Sequence, residues 1–342
     1  MAERPTVALV AELAGVSVAS VSRVLNGLPA SDGVRERVNQ AATELGYRPN
    51  AFARSLKVRR SQQLAFAVAD VGNPVYVEMM RAIEDETRAS GYRLLVSSTG
   101  GRSDDTLALL DSLDGGYADG LVLCPVRVDA EIVERLRQVT YPMVVIGTVP
   151  NDVAIDNVRA NSAGGVRIAL EHLHEQGCRR IAFVNGPTDT VPGKARRRAF
   201  ERTAGALGLD PGGPLRVEAG DFTLAEGRKA AETMLDRATP DAVLGGNDLL
   251  AIATMQVLAE RDLRVPDDVA VVGMDDTELA GVSTPSLTSV GLGALERGRV
   301  AARLLLDRLD DPQQSALREP QRVTVQPQLT IRRSSLKGGT AR

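Results

Sequence analysis

The feature that most constrains the fold is an alternation of apolar, β-rich runs with helix-length amphipathic segments, which starts near Gln63. The first set pairs LAFAVAD with YVEMMRAIEDETRASG, YRLLVSS with TLALLDSL and GLVLCPV with EIVERLRQ, and it closes with PMVVIG. The alternation restarts at ANSAGGVRIALEHLHEQG and continues to VAVVGMDD. Strands that alternate with helices predict parallel sheets with helices on both faces. Two successive sets therefore predict a body of two α/β lobes.

The last part of the chain is expected to complete both lobes. The runs LTSVGLGALERGRVAARLLLDRLDD and RVTVQPQLTIRRS are predicted to cross back between them. We predict a body over residues 62–333, with one lobe over about 62–158 and 292–320 and the other over about 159–291 and 321–333. Residues 334–342 are expected to form a flexible tail.

Residues 1–48 have no strand pattern and are predicted to form an all-α head of short helices. Thr6, Ser17 and Ser31 each precede an apolar periodic segment, as helix N-caps do. A helix, a three-residue turn that contains Gly15 and a second short helix have the spacing of a helix-turn-helix motif. The same spacing also fits a small three-helix bundle that does not bind DNA.

In a helix-turn-helix motif the second helix enters the major groove through its N-terminal residues. The outward positions of that helix are Val18, Ala19, Ser22, Arg23 and Asn26. Arginine reaches a guanine edge or a phosphate, and small apolar groups touch a thymine methyl. The first sixty residues hold nine basic and five acidic side chains, although the whole chain has a net charge of −3. This distribution favours a nucleic-acid-binding head.

The head and body together resemble LacI-type transcriptional regulators. The resemblance rests on VAELAGVSVASVSRVLNG followed by VRERVNQAATELGYRPNAFARSL, and on NPVY, RRIAFVNGP, RRRAF, GGNDLLA, VVGMDDTE and SLTSV in the body. It covers nearly the whole chain. It implies a body similar to periplasmic sugar-binding proteins, in which two lobes close on a small sugar-like effector. It also implies a homodimer whose two heads bind a palindromic operator in double-stranded DNA.

The resemblance also implies a hinge over residues 49–61, in which NAFARSL folds into a short helix on DNA. Leu56 would insert into the minor groove at the operator centre, because an apolar wedge unstacks a base step and bends the duplex. Ala53 would lie beside it, and Asn50, Arg54 and Lys57 would meet the backbone or the groove. Leu56 as a linker leucine in ordinary packing is the alternative.

For the effector, the resemblance implies polar contacts from both lobes and one aromatic face. Carboxylate, amide and guanidinium groups suit the hydroxyls of a polyol, and an aromatic ring suits its apolar face. The residues at the matching positions are Asp70, Asn73, Tyr76, Arg196, Phe222, Asn247 and Asp275.

Several of these residues also have purely structural interpretations. Asn247 can cap the following helix, Asp275 can occupy a turn, and Arg196 can pair within its own arginine-rich helix. Gly147 stands where relatives often carry a polar ligand residue, and Val290–Gly293 lacks the Lys or Gln that many relatives have there. We therefore expect a pocket with fewer polar contacts than is usual.

An enzyme is the main alternative class. GPTDTVPGKA lies between a strand and a helix, but six residues separate Gly186 from Gly193, and Ala195 replaces the Ser or Thr of a phosphate loop. His172 and His174 are two positions apart on one helix, so they point to different sides and are expected at the surface or as caps. We predict no enzymatic activity, no cofactor and no metal site.

A secreted sugar-binding protein with the same body is the other alternative. MAERPTVALV has no hydrophobic signal core, and no apolar run approaches the length of a membrane span. Cys124 and Cys178 lie far apart and are expected to be buried, reduced thiols. We therefore expect a cytoplasmic repressor whose operator affinity a small polar ligand controls.

Overall fold

The computed structural model describes residues 5–25, 27–47, 61–210, 213, 215–311 and 318–337. The chain divides into two compact units, one on the amino-terminal side of residue 61 and one from Gln62 onward. Most of the predicted hinge and the end of the tail lie outside the described residues. So do six positions predicted to contact DNA, namely Asn26, Asn50, Ala53, Arg54, Leu56 and Lys57.

The described part of the amino-terminal unit is helical, as predicted. Its helices are α1 (Val7–Ala14), α2 (Val18–Leu25) and α3 (Asp32–Glu44). One apolar residue of each helix, Val10, Val21 and Val38, is fully buried, and alanines of α1 and α3 fill the space around them. Each helix therefore contributes one apolar stripe to a small shared core.

In the described part of the chain, no single helix is long and apolar enough to cross a membrane. The helices α1 and α2 reach the required length and composition only as a pair, bent by 104°. Their apolar faces pack in the core of the head, which accounts for their composition.

The first lobe of the carboxyl-terminal unit contains a sheet of six parallel strands. They are β1 (Gln63–Val68), β2 (Arg93–Ser98), β3 (Gly120–Cys124), β4 (Met143–Ile146), β5 (Asp156–Ala160) and β11 (Arg322–Val325). Their order is β11-β5-β4-β3-β1-β2. Leu64, Phe66 and Val68 of β1 face one apolar cluster, whereas Ala65 and Ala67 face another. Both faces are therefore covered, as predicted.

The second lobe has a similar six-stranded sheet, in the order β12-β10-β9-β8-β6-β7. Its strands are β6 (Ile181–Asn185), β7 (Arg216–Glu218), β8 (Ala242–Gly245), β9 (Ala270–Met274), β10 (Thr288–Gly291) and β12 (Gln328–Thr330). Only the pairing of β10 with β12 is antiparallel among the described strands of this sheet.

Helices connect the parallel strands and cover both sheets. The helices of the first lobe are α4 (Pro74–Arg88), α5 (Ser103–Leu113), α6 (Ala130–Arg137) and α12 (Ala294–Asp310). Those of the second lobe are α7 (Ser162–Glu175), α8 (Val191–Ala206), α9 (Leu224–Arg237), α10 (Asp248–Glu260) and α11 (Glu278–Val282). Cys124 and Cys178 are buried free thiols, as predicted.

The chain passes between the lobes after Ala160, again between Gly291 and Ala294, and a third time after Val325. The prediction that residues 321–333 all belong to the second lobe is wrong for β11. This strand pairs with β5 of the first sheet, with Val323 opposite Val158. A short extended run does not reveal which sheet it joins, because the pairing partner lies far away in the sequence.

The prediction of a flexible tail is wrong over residues 334–337. Ser334 and Ser335 are fully buried in a short 3₁₀ helix, and the Ser334 hydroxyl donates to the carbonyl of Val271 at 2.6 Å. The Ser335 hydroxyl lies 2.8 Å from Nε2 of His172. His172 is therefore a buried side chain rather than the surface or capping residue we expected, because the end of the chain covers it.

Candidate functional site

The amino-terminal unit contains a sharp turn between two helices. Helix α1 ends at Gly15, whose φ of 60° is a left-handed conformation that favours glycine, and the Gly15 N–H donates to the carbonyls of Ala11 and Glu12. Helix α2 begins at Val18, and the bend between the two helices is 104°. The connection and the angle are those of a helix-turn-helix motif.

Three residues predicted to contact DNA lie at the N-terminal ends of the head helices. Oγ1 of Thr6 accepts the N–H of Leu9 at 3.3 Å, and Oγ of Ser17 accepts the N–H of Ser20 at 3.1 Å. Ser31 occupies the N-cap position of α3, where it is exposed and makes no side-chain cap bond. Hydroxyl and N–H groups at helix N-termini are suited to phosphate oxygens.

The outer face of α2 carries four of the predicted reading positions. Val18 is 47% exposed, Ala19 and Arg23 are also exposed, and Ser22 is half-buried with a polar partner of its own. This face offers methyl groups, one hydroxyl and one guanidinium group. Such a surface can read thymine methyls and a guanine edge.

The carboxyl-terminal unit contains a cavity of about 440 Å³ between its two lobes. It lies at the carboxyl ends of parallel strands, beside Ala69 after β1, Pro125 after β3 and Gly147 after β4. The first turns of α4, α7, α8 and α12 also line it. In parallel α/β sheets this edge is where ligands bind, and the volume lies within the usual range for small molecules.

The structure brings all seven residues predicted to contact an effector to the wall of this one cavity. The first lobe contributes Asp70, Asn73 and Tyr76, and the second contributes Arg196, Phe222, Asn247 and Asp275.

The most buried charges among these seven belong to Arg196 and Asp275, which are 6% and 8% exposed. The Arg196 guanidinium lies 3.6 Å from the Asp275 carboxylate, donates to the carbonyl of Gly246 and stands 5.7 Å from the centre of the Phe222 ring. Burial raises the pKa of Asp275 and lowers that of Arg196, and their mutual attraction opposes both shifts. Arg196 thus pairs with the residue that follows β9 of the same lobe rather than within its own helix.

The two asparagines combine a structural role with a position on the cavity wall. Oδ1 of Asn73 accepts the N–H of Val75 at 3.2 Å at the start of α4. Oδ1 of Asn247 accepts the N–H of Leu250 at 2.9 Å, and its amide donates to the carbonyl of Phe222 at 3.1 Å. Asn247 is therefore a helix cap that also fixes the backbone beneath the aromatic ring.

Asp70 and Tyr76 occupy the first-lobe wall at different depths. Asp70 is exposed, and its carboxylate accepts the N–H of Gly72 at 2.8 Å. Burial raises the pKa of Tyr76 well above its usual value, and the nearby Cys124 and Asp275 raise it further. Tyr76 therefore presents a neutral hydroxyl group to the cavity.

Sequence reasoning missed Arg297, which lines the cavity and is 8% exposed. A signal was present, because Arg297 shares the helix face of Ala301 and Leu305, two fully buried residues. An arginine within an apolar stripe indicates a buried charge with a special role. Other polar lining residues that were not predicted are Ser98, Cys124, Thr148, Asn161, Ser162, Asp221 and Thr223.

Two direct contacts join the lobes along one side of the cavity. Nε and one terminal nitrogen of Arg127 donate to the two carboxylate oxygens of Asp189, at 2.9 and 3.2 Å. The N–H of Val191 donates to the carbonyl of Val126 at 2.7 Å. The Arg127–Asp189 pair and this backbone bond hold the start of α8 against the loop after β3.

A further contact between the lobes joins α4 to α11. The Arg81 guanidinium lies 3.1 Å from the Glu278 carboxylate. One turn before Arg81, the half-buried Glu78 faces the same part of the second lobe. Burial, together with the charges of Asp275, Glu278 and Asp276, raises the pKa of Glu78 to about 7.

Comparisons with known proteins match both units. Residues 6–50 match the description "Bacterial regulatory proteins, lacI family", and residues 170–335 match a periplasmic binding protein-like domain. The chain is 36% identical to the HTH-type transcriptional regulator CelR of Thermobifida fusca, over 97% of this chain and 98% of that one. It is 34% identical to the ribose operon repressor of Escherichia coli strain K12, over 89% and 92% of the two chains.

Solved structures agree with this similarity. The lac repressor dimer bound to operator and an anti-inducer aligns with a TM-score of 0.83 and 26% identity, over 98% of this chain and all of that one. The complex of CelR with cellobiose aligns with a TM-score of 0.72 and 34% identity, over 97% and 100%. Fold, site and comparisons define a DNA-binding transcriptional regulator, and not an enzyme. The chain belongs to the lacI family of bacterial regulatory proteins.

Proposed function

We propose that this regulator is a cytoplasmic repressor whose operator affinity depends on a small polar ligand held between its lobes. The observation that carries the proposal is the cavity itself, where polar side chains of both lobes converge, in a chain that also contains a helix-turn-helix head. Its structural relatives include a complex with cellobiose and a repressor dimer on its operator. By similarity, we propose a homodimer that binds a palindromic operator.

In this proposal the exposed face of α2 reads base edges, and the hydroxyls and N–H groups at the starts of the helices contact phosphates. Arg23 supplies a guanine or phosphate contact, and Val18 and Ala19 supply methyl contacts. Leu56, which lies outside the described residues, inserts at the operator centre, with Asn50, Ala53, Arg54 and Lys57 around it.

The ligand is proposed to contact both lobes at once. Asp275 and Arg196 would bond its polar groups, and the Phe222 ring would cover its apolar face. Because the lobes meet through Arg127–Asp189 and Arg81–Glu278, the ligand would change how tightly they close. It would act through its different affinities for the two arrangements.

Operator binding by the Leu56→Ala variant tests the DNA-binding part of the proposal. Fluorescence anisotropy with a palindromic duplex, selected from genomic fragments by the wild-type protein, measures affinity. We expect the variant to bind roughly 10- to 100-fold more weakly, because the energy of unstacking and bending is no longer offset by the wedge. Wild-type affinity for the duplex should also fall steeply between about 50 and about 200 mM salt, because contacts to phosphates release counterions.

The matched control is Leu336→Ala, which removes an exposed leucine from the other end of the chain. It should bind the duplex as the wild type does. Failure of the wild-type protein to select any duplex would contradict the proposal, and an unchanged affinity of Leu56→Ala would remove the wedge from it.

A further inference from the structure

The cavity wall contains a buried guanidinium group that forms no ion pair among the described residues. Arg297 lies in the first turn of α12, is 8% exposed and lines the cavity. Its Nε is buried and has no hydrogen-bond partner, and no described residue forms a hydrogen bond or an ion pair with its side chain. Folded proteins almost never bury an arginine unless it is paired. A partner from outside the protein would therefore account for this buried, unpaired guanidinium group.

The helix that carries Arg297 is closely packed against its neighbour. A Cβ atom on the adjacent Gly298 would lie 2.6 Å from the carbonyl of Met79, so α12 and α4 are in close contact at this point. This contact holds the first turns of both helices at the cavity. The position of Arg297 is therefore set by packing and not by an ion pair.

The buried part of the cavity wall has more positive than negative charge. Arg196 and Arg297 are both buried there, and Asp275 is the one buried carboxylate among the described lining residues. Asp275 lies within ion-pair distance of Arg196 only. The remaining lining carboxylates, Asp70 and Asp221, are exposed.

Other ionisable groups nearby do not supply the missing negative charge. Burial raises the pKa of Cys124 to about 11 and raises that of Tyr76 as well, so both are neutral near pH 7. Asp248 accepts hydrogen bonds from Thr277 and Ser289 and is not part of the wall. The first turns of four helices at the cavity add further positive potential, which favours an anion.

We propose that the ligand of this cavity is a polyhydroxylated acid whose carboxylate or phosphate group binds Arg297. The guanidinium fork pairs with an oxyanion through two parallel hydrogen bonds. Arg196 and Asp275 then bond hydroxyl groups at the other end of the molecule, beside Phe222. This inference rests on the proposed function, because it takes the cavity to be the effector site.

Matched sets of compounds test this proposal directly. D-glucose, D-gluconate and D-glucose 6-phosphate form one set, and D-ribose, D-ribonate and D-ribose 5-phosphate form another, with inorganic phosphate as the minimal anion. Thermal-shift assays and calorimetry at constant ionic strength measure binding to the full-length protein. We expect at least one acid to bind tenfold or more tightly than its neutral parent. The carboxylate and phosphate members show which oxyanion the site prefers.

Two arginines of the same helix provide the variant and its control. Arg297→Gln should lose the preference for the acid, whereas Arg299→Gln should keep it, because Arg299 is exposed and pairs with Glu86. Equal binding of the neutral parents, an unchanged preference in Arg297→Gln, or no binding of any acid or of phosphate would overturn the proposal.

The unliganded protein offers a second readout that needs no ligand. Replacing an unpaired buried charge by an apolar side chain of similar size relieves its desolvation cost. Arg297→Met should therefore have a higher melting temperature than the wild type, and a lower one would indicate that Arg297 is structural and overturn the proposal. Operator binding by the wild-type protein separates this inference from the proposed function. If the wild-type protein binds no operator but still binds an acid, the proposed function is contradicted and the acid site is retained.

Discussion

At the scale of single residues, Gly186 determines where the aromatic wall of the cavity lies. A Cβ atom at this position would be 2.2 Å from the Phe222 ring, which in turn stands beside Arg196. The ring is therefore close to Arg196 only because residue 186 has no side chain. Phe222 and Gly186 lie far apart in the sequence, so no local pattern reveals the contact.

We expect Gly186→Ala to lower the free energy of unfolding by about 1–3 kcal/mol, because the ring must move. This corresponds to a melting temperature lower by at least about 2 °C. Gly205→Ala is the matched control, since a Cβ atom there meets nothing within 4 Å and alanine favours a helix. Equal melting temperatures for the two variants would show that the ring adapts without cost.

Residue types and motif positions were enough to predict seven residues that the structure brings to one wall, including Arg196 and Asp275. Residue types and motif positions did not predict that Arg297 also lines the cavity. Its burial follows from the packing of α12 on α4, and the sequence shows only an arginine within an apolar stripe. The expectation of a pocket with fewer polar contacts than is usual did not include this charge, because Arg297 belongs to a helix that the motifs do not mark.

At the scale of secondary-structure elements, the contact between α4 and α11 contains a titratable group. Glu78 of α4 is half-buried and faces Asp275, Asp276 and Glu278 of the second lobe, while Arg81 pairs with Glu278. The pKa of Glu78 is about 7, against an ordinary value of 4.5. The folded protein therefore binds a proton between these pH values that the unfolded chain does not bind.

Linkage fixes the sign of the effect, since stability falls with rising pH wherever the folded state holds the extra proton. We expect the wild type to lose stability between pH 4.5 and 7, relative to Glu78→Gln. After discounting for partial exposure, the difference is about 1 kcal/mol, or about 2–4 °C in melting temperature. Melting curves at pH 5 and pH 8 measure it, with Glu84→Gln on the outer side of α4 as control. A constant gap between wild type and Glu78→Gln would contradict the assignment.

The alternation of strands and helices predicted both lobes, because buried parallel strands are recognisable as apolar runs. It did not predict β5, whose buried Asp156 and Asn157 interrupt the apolar run. Arg308 pairs with Asp156, and the Asn157 amide donates to the carbonyl of Val145. The same sequence pattern led us to assign β11 to the wrong sheet, because four extended residues do not specify the strand with which they pair.

At the scale of the whole molecule, a ligand between the lobes and an operator at the head are proposed to influence each other's binding. The head and body were both predicted from sequence, since each has strong local patterns and the resemblance spans them. Coupling between them is different, because it depends on the relative free energies of two arrangements of the same chain. It must be measured.

Reciprocity provides the most direct measurement. Fluorescence anisotropy gives the operator affinity with and without a saturating concentration of a sugar acid or sugar phosphate that binds the protein. Calorimetry gives the affinity for that same compound with and without saturating operator. Both affinities are expected to change by the same factor, of about fivefold or more, because binding free energies are linked. If neither affinity responds to the other partner, the cavity does not control DNA binding and the proposed regulation is contradicted.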